Sequence, residues 1–208
     1  MNDIRPINKG FEDFELLPYL QSLNKPINDQ LIFEINVKKN DYIYLPPNKD
    51  NFIYEIITGA VKLGGYSDDG DSFVYEVLPH NEFFGNLKYL NGIFHEYAKA
   101  LIDCKIRLYD LDFFKNLTTT EPAVTNWFIS YIVKRWCSAE VKLKTIKEKN
   151  IEDKVKSLQE YYNIEVINTK GQRFLLSNLL SKKDMGDLIG VTRQTVASTL
   201  QKEKQLVF

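Results

Sequence analysis

Apolar and polar positions along this chain follow three successive rhythms. Phe11, Phe14, Leu17 and Leu20 recur at helical spacing and predict a short lead-in helix over residues 4–24, with Pro18 interrupting it. From Leu31 to about Leu111 the rhythm shortens to that of strands, at Ile32–Val37, 42–45 (halted by Pro46 and Pro47), Phe52–Thr58, Val61–Tyr66, Ser72–Leu78, 96–101 and 105–110. The cluster Ser67-Asp68-Asp69-Gly70-Asp71 joins two of these, and its Asp-Gly step predicts a β-hairpin. Short strands at this spacing imply a sandwich or barrel-like roll.

A third rhythm begins at Glu121. Thr120 is the expected N-cap, and Pro122 sits in the first turn, where a missing N–H costs little. The helix is predicted to run unbroken to about Lys149, ~42 Å at 1.5 Å per residue. Ile129, Val133, Trp136 and Leu143 form one apolar stripe, and Phe128, Ile132, Ala139 and Ile146 form the next. Two stripes fit a helix that packs on its own body with one side and on a second copy with the other. The helical pattern continues over 150–162, with Ile151, Val155, Leu158 and Tyr162 on one face. A connector (163–170) ends at Gly171 and a short strand follows over 173–176. The expected organisation is α+β: a body over 1–120, a long helix over 121–149 and a small domain over 150–208.

Charge sharpens this division. The 208 residues carry a formal net charge of −1, but Lys170 to Phe208 holds seven basic and three acidic residues, leaving the tail at +4 and the remainder at −5. An acidic body with a basic tail suits a nucleic-acid partner better than the total does. The two cysteines, Cys104 and Cys137, have neither zinc-finger spacing nor the density of a secreted scaffold. The start of the chain has no apolar targeting segment, and nowhere do 18 apolar residues run together. The expected location is the cytoplasm, with no membrane partner.

The most informative stretch is 181–200. Ser181 and Asp184 have capping-box spacing, Gly190 permits a sharp turn, and Thr192 caps a second helix. Gly186 allows close approach, while Met185, Ile189, Val191, Val196 and Leu200 share a core. This is helix-turn-helix geometry, and it exposes the first turns of the second helix, the recognition helix over 193–203. Arg193, Gln194, Thr195 and Ser198 are the candidate base-reading residues. Ser181, Lys182, Lys183, Thr192 and Lys202 complete the expected DNA-contacting set, with the lysines on the phosphate backbone.

Along nearly its whole length the chain resembles the Crp–Fnr family of bacterial transcription regulators. The resemblance rests on Phe52–Thr58 with Gly59-Ala60-Val61-Lys62-Leu63, on Phe83-Phe84-Gly85-Asn86-Leu87, and on Gly190-Val191-Thr192-Arg193-Gln194-Thr195-Val196-Ala197-Ser198-Thr199-Leu200, which is similar to the family's recognition-helix signature. It implies an N-terminal antiparallel β-roll of the double-stranded β-helix or jelly-roll type, acting as a sensor of the cyclic-nucleotide-binding kind. It further implies a dimerisation helix and a C-terminal winged helix-turn-helix, in a homodimer that binds an inverted repeat in double-stranded DNA. RNA polymerase is a further implied partner, although no residue pattern marks the surface it would touch. Phe84, Gly85, Asn86, Leu87, His95 and Tyr97 are the implied effector-pocket residues.

The departures bear on mechanism. Where cyclic-AMP-binding members place a Glu after Phe-Gly, this chain has Asn86. Where they place Arg-Ser, it has Phe94-His95, counting back from Cys104. A cyclic phosphate would lose a bidentate charge-assisted contact, so cyclic AMP is not the expected effector and no cofactor is predicted. Two cysteines fall short of an iron–sulfur cluster, and His80 and His95 read as surface residues rather than haem ligands. The recognition helix has Gln194 and Ser198 where the family often has Glu and Arg, so the operator should differ. The sequence ends soon after Gln205-Leu206-Val207, which predicts a short wing lacking its later strand.

Two other classes compete with this reading. A cupin-like metalloenzyme needs clustered His and carboxylate ligands, and two separated histidines do not supply them. A ligand-sensing adaptor would bind a protein partner through its roll and carry a degenerate DNA-binding domain. No nucleophile–base set, paired carboxylate or phosphate-cradling glycine loop is apparent, so no catalysis is expected.

Overall fold

The structure, a computed structural model, describes residues 14–23, 28–47, 50–85, 89–90 and 95–206. Eight strands form two four-stranded antiparallel sheets: β1 (Ile32–Val37), β2 (Tyr42–Tyr44), β3 (Phe52–Thr58), β4 (Val61–Tyr66), β5 (Ser72–Leu78), β6 (Phe83–Phe84), β7 (Tyr97–Ala100) and β8 (Cys104–Asp110). Their orders are β1-β8-β3-β6 and β2-β7-β4-β5. β8 shows why they face one another. Cys104, Ile106 and Leu108 point inward with Tyr54 and Ile56 of β3, while Arg107 points outward between its cross-strand neighbours Glu34 and Glu55, 2.8 Å from each. The Asp-Gly hairpin forms as expected: Gly70 adopts φ +85° and Ser67 N–H donates to the Asp71 carbonyl.

Helices cover the outer face of the first sheet. Leu16 and Leu20 of α1 (Leu16–Ser22), Phe114 and Leu117 of α2 (Leu111–Thr120), and Val124 and Trp127 of α3 (Pro122–Lys147) bury Ile32, Ile53 and Tyr109. Residues 4–13 and 24 of the predicted lead-in helix, Phe11 among them, lie outside the described residues. α2 is absent from the sequence pattern, and it moves the predicted cap. Thr120 ends α2, and the residue preceding α3 is Glu121, which makes no side-chain capping bond. The long helix is also shorter than expected. It stops at Lys147, and Asn150 caps a separate helix, α4 (Ile151–Tyr161), by accepting from Glu152 N–H at 2.9 Å.

The rest of the chain packs against the second sheet. The connector at 163–170 contains a strand, β9 (Glu165–Ile167), which pairs with β10 (Arg173–Leu175). Their turn is set by Asn168, whose carboxamide oxygen accepts from the N–H groups of Lys170 and Gln172. A single turn, α5 (Leu176–Leu179), leads to α6 (Lys182–Ile189) and α7 (Arg193–Leu206). This hairpin precedes the two helices, and residues 205–206, expected to begin a wing, continue α7 instead. Val155, Leu158, Tyr162, Met185, Leu188, Ile189 and Val196 form one core with Ala60, Val74, Val77, Leu101 and Ile102 of the roll.

Candidate nucleic-acid interface

α6 begins with the capping box expected from sequence. The Ser181 hydroxyl accepts from Asp184 N–H at 3.1 Å, and the Asp184 carboxylate accepts from Ser181 N–H at 3.0 Å. The helix ends at Gly190, which adopts φ +69°. Gly186 is required by proximity, since a Cβ there would lie 2.6 Å from the Val191 carbonyl oxygen. Thr192 then caps α7, its hydroxyl accepting from Thr195 N–H at 3.1 Å and meeting the Thr195 hydroxyl at 2.8 Å.

The turn gives α7 two opposite faces. Val196 and Thr199 are buried against α6 and α4, with Leu200 partly so. Arg193, Gln194, Ser198 and Lys202 face solvent along more than two helical turns. The other expected contact residues divide. The hydroxyls of Ser181 and Thr192 are occupied in capping, Thr195 is half-buried beside Thr192, and Lys182 is exposed at the start of α6. Lys183 departs from expectation: its ammonium donates to the Ser72 carbonyl of β5 and to Asp187 at 3.0 Å, so it is turned onto its own roll.

That contact belongs to a wider junction. Lys62 of β4 reaches Asp184 at 2.7 Å, and Asp187 accepts from Val74 N–H at 3.0 Å. Gly59 N–H donates to the Ile167 carbonyl at 2.8 Å, and Lys170 pairs with Asp103 at 3.0 Å. Burial alone would raise the Asp184 pKa, but the hydrogen bonds from Lys62 and Ser181 outweigh it and hold the carboxyl below its usual value. The helix-turn-helix is therefore fixed against the roll of its own chain while the solvent-facing side of α7 stays open.

α3 has an inward and an outward face. Val124, Trp127 and Tyr131 are buried, whereas Ile129, Val133, Trp136 and Leu143 are each at least half exposed and Ile132 nearly so. The second predicted stripe splits. Ala139 is exposed with the outer set, but Phe128 packs on Phe114 and Tyr89, and Ile146 is half-buried near Gly190.

The interior of the roll is filled by side chains. Tyr54 and Phe84 stack with centroids 4.9 Å apart, and Tyr44 lies 5.2 Å from Tyr54. Gly85, at φ +85°, is held close enough that a Cβ would meet the Tyr54 ring at 2.9 Å. Asn86 and Leu87 lie outside the described residues. His95 is exposed. Tyr97, expected in the pocket, faces the opposite way: it pairs with Gly64 on the outer face of the sheet, and its hydroxyl donates to the Phe73 carbonyl at 3.2 Å. The inward residue of that pair of positions is Ala98. One residue that sequence reasoning passed over is Glu96, buried and hydrogen-bonded by the Tyr44 hydroxyl, with burial pushing its pKa up to about 7.

Cys104 is buried beside Gly59, with its thiol pushed up to about 11 by burial. Among the described residues no group of three or more His, Cys, Asp or Glu is arranged to hold a metal ion. Among the same residues no helix is long and apolar enough to cross a membrane.

No protein-family model matches this sequence, and no curated protein matches it. Solved structures do. FixK2 from Bradyrhizobium japonicum superposes with a TM-score of 0.68 at 18% identity, covering 85% of this chain and 86% of its own. A CRP/FNR-family transcriptional regulator from Thermus thermophilus gives 0.65 at 13% identity, covering 83% and 86%. A CooA mutant from Carboxydothermus hydrogenoformans gives 0.65 at 18% identity, covering 93% and 86%. At these identities the likeness establishes the fold: a β-roll, a long helix and a helix-turn-helix arranged as in these proteins.

Proposed function

We propose that this chain, built on the fold of the CRP/FNR regulators, is a transcription regulator that binds DNA as a homodimer in the cytoplasm. The observation that carries the reading is the outward side of α7. Arg193, Gln194, Ser198 and Lys202 project from a helix whose other face is locked in the domain core. An Arg and a Gln in the first turn can make bidentate contacts with guanine and adenine edges. Lys202 and Lys182 suit phosphate oxygens. The exposed apolar side of α3 supplies the self-complementary surface of a two-fold dimer. Two recognition helices would then meet an inverted repeat whose half-sites are centred ~34 Å apart, one turn of the duplex.

The roll of this protein does not take cyclic AMP in this reading. Tyr44, Tyr54 and Phe84 fill its interior, and a buried carboxyl, Glu96, follows two residues after Phe94, the sequence position where the resemblance puts an arginine for the phosphate.

Selection of bound duplexes from a random pool tests the proposal. The expected product is an inverted repeat, bound more weakly by about a factor of ten to a hundred in Arg193→Ala, the worth of one good bidentate base contact. A pool in which no sequence is enriched would overturn DNA reading and favour the adaptor alternative. Equal binding by Arg193→Ala would remove that residue from the interface.

A further inference from the structure

The outward side of α3 is spaced for a helix like itself. Ile129, Val133, Trp136, Glu140 and Leu143 follow one another at alternating steps of four and three, and all five are exposed in the single chain. Those steps put Val133 and Glu140 at position a of a heptad repeat, and Ile129, Trp136 and Leu143 at position d. A β-branched residue at a with leucine at d favours a two-stranded pair.

Glu140 is the charged member of this seam, placed between Trp136 and Leu143. Pairing of two such faces would take its carboxylate out of water, which is unfavourable unless a donor meets it. Among the described residues neither the Glu140 carboxylate nor the Trp136 indole N–H has a partner within its own chain. The two are complementary, because an indole N–H only donates and an ionised carboxylate only accepts. In a parallel two-stranded pair a d side chain packs beside the a side chains of the facing helix, so each Trp136 ring would lie next to the partner's Glu140. Ala139, exposed beside Glu140, adds little bulk there and leaves room for the ring. Lys144, the other nearby donor, is exposed at the rim of the seam, where an ion pair stays hydrated and contributes little.

We propose that Glu140 sets the register of the dimer by accepting a hydrogen bond from the indole N–H of the partner's Trp136, twice about the two-fold axis. A slip of one heptad keeps at most one of these contacts and leaves the other carboxylate in the seam without a donor. The same register sets the separation of the two α7 helices, because each is fixed to the body of its own chain.

The contact rests on the reading of α3 as the pairing helix, and a double-mutant cycle on the full chain separates the two. Dimer dissociation constants are measured by sedimentation equilibrium for the native chain, Trp136→Phe, Glu140→Ala and the double variant. Both side chains are exposed in the single chain, so none of these changes touches its core. Trp136→Phe keeps an aromatic ring and removes the donor. It is expected to weaken the dimer at least about tenfold more in the native background than in Glu140→Ala. In Glu140→Gln, which offers a neutral acceptor, the difference is expected to shrink to about threefold. A native chain that dimerises but loses the same factor to Trp136→Phe in all three backgrounds overturns the contact and leaves pairing through α3 standing. A native chain that stays monomeric overturns that pairing and the contact with it.

Discussion

Glu96 places a carboxyl where burial opposes its charge, 5% exposed and bonded to a tyrosine hydroxyl from a strand 52 positions away. Its folded pKa of about 7 lies above the ordinary 4.5, so the folded chain holds a proton that the unfolded chain has released between those values. Stability is therefore expected to fall as pH rises through that window, by about 1–3 kcal/mol. Urea denaturation at pH 5 and pH 8 should show this for the native chain and lose most of it for Glu96→Gln; an unchanged pH dependence in the variant would assign the effect to other groups. Nothing local marks Glu96 as buried, because its partner Tyr44 is fixed only by sheet pairing. Asp184 is the contrasting residue. Its cap is legible from its distance to Ser181, while its pairing with Lys62, 122 positions away, is not.

At the scale of elements, legibility follows the balance between local pattern and tertiary burial. The strands are readable because alternation and turn residues coincide, as in β4 and β5 around Gly70. α2 escapes a sequence reading because it ends in three threonines, which favour strands and turns. In the fold their hydroxyls bond back to the Lys115 and Asn116 carbonyls while Leu111, Phe114 and Leu117 are buried. The break after Lys147 is hidden by the helical spacing that continues across it, although Asn150 carries the capping signal. In α3 the predicted apolar positions stand but their partition does not, since Phe128 turns to the body. Trp136, 65% exposed in this chain, is the expected anchor of pairing. In a two-fold interface it appears twice, so Trp136→Glu is expected to weaken the dimer by about 4 kcal/mol, roughly a thousandfold, with the monomer fold intact. Sedimentation across micromolar concentrations checks this. A variant as dimeric as the native chain would move the interface off α3.

Across the whole molecule, the long helix carries an unpartnered apolar side and the C-terminal domain is bound to its own roll through the Lys62–Asp184 and Gly59–Ile167 contacts. That junction fixes the angle between α7 and α3 within one chain. Pairing through α3 would thereby set the separation of two recognition helices without a hinge having to close. On a duplex the uneven charge, −5 before residue 170 and +4 from Lys170 onward, would keep the roll away from phosphates and bring the tail toward them. Hydroxyl-radical footprinting on a selected duplex examines this arrangement most directly. The account predicts two protected stretches related by two-fold symmetry and centred about 10 base pairs apart, both lost in Arg193→Ala. A single protected stretch, or protection that ignores sequence and persists in the variant, would contradict it.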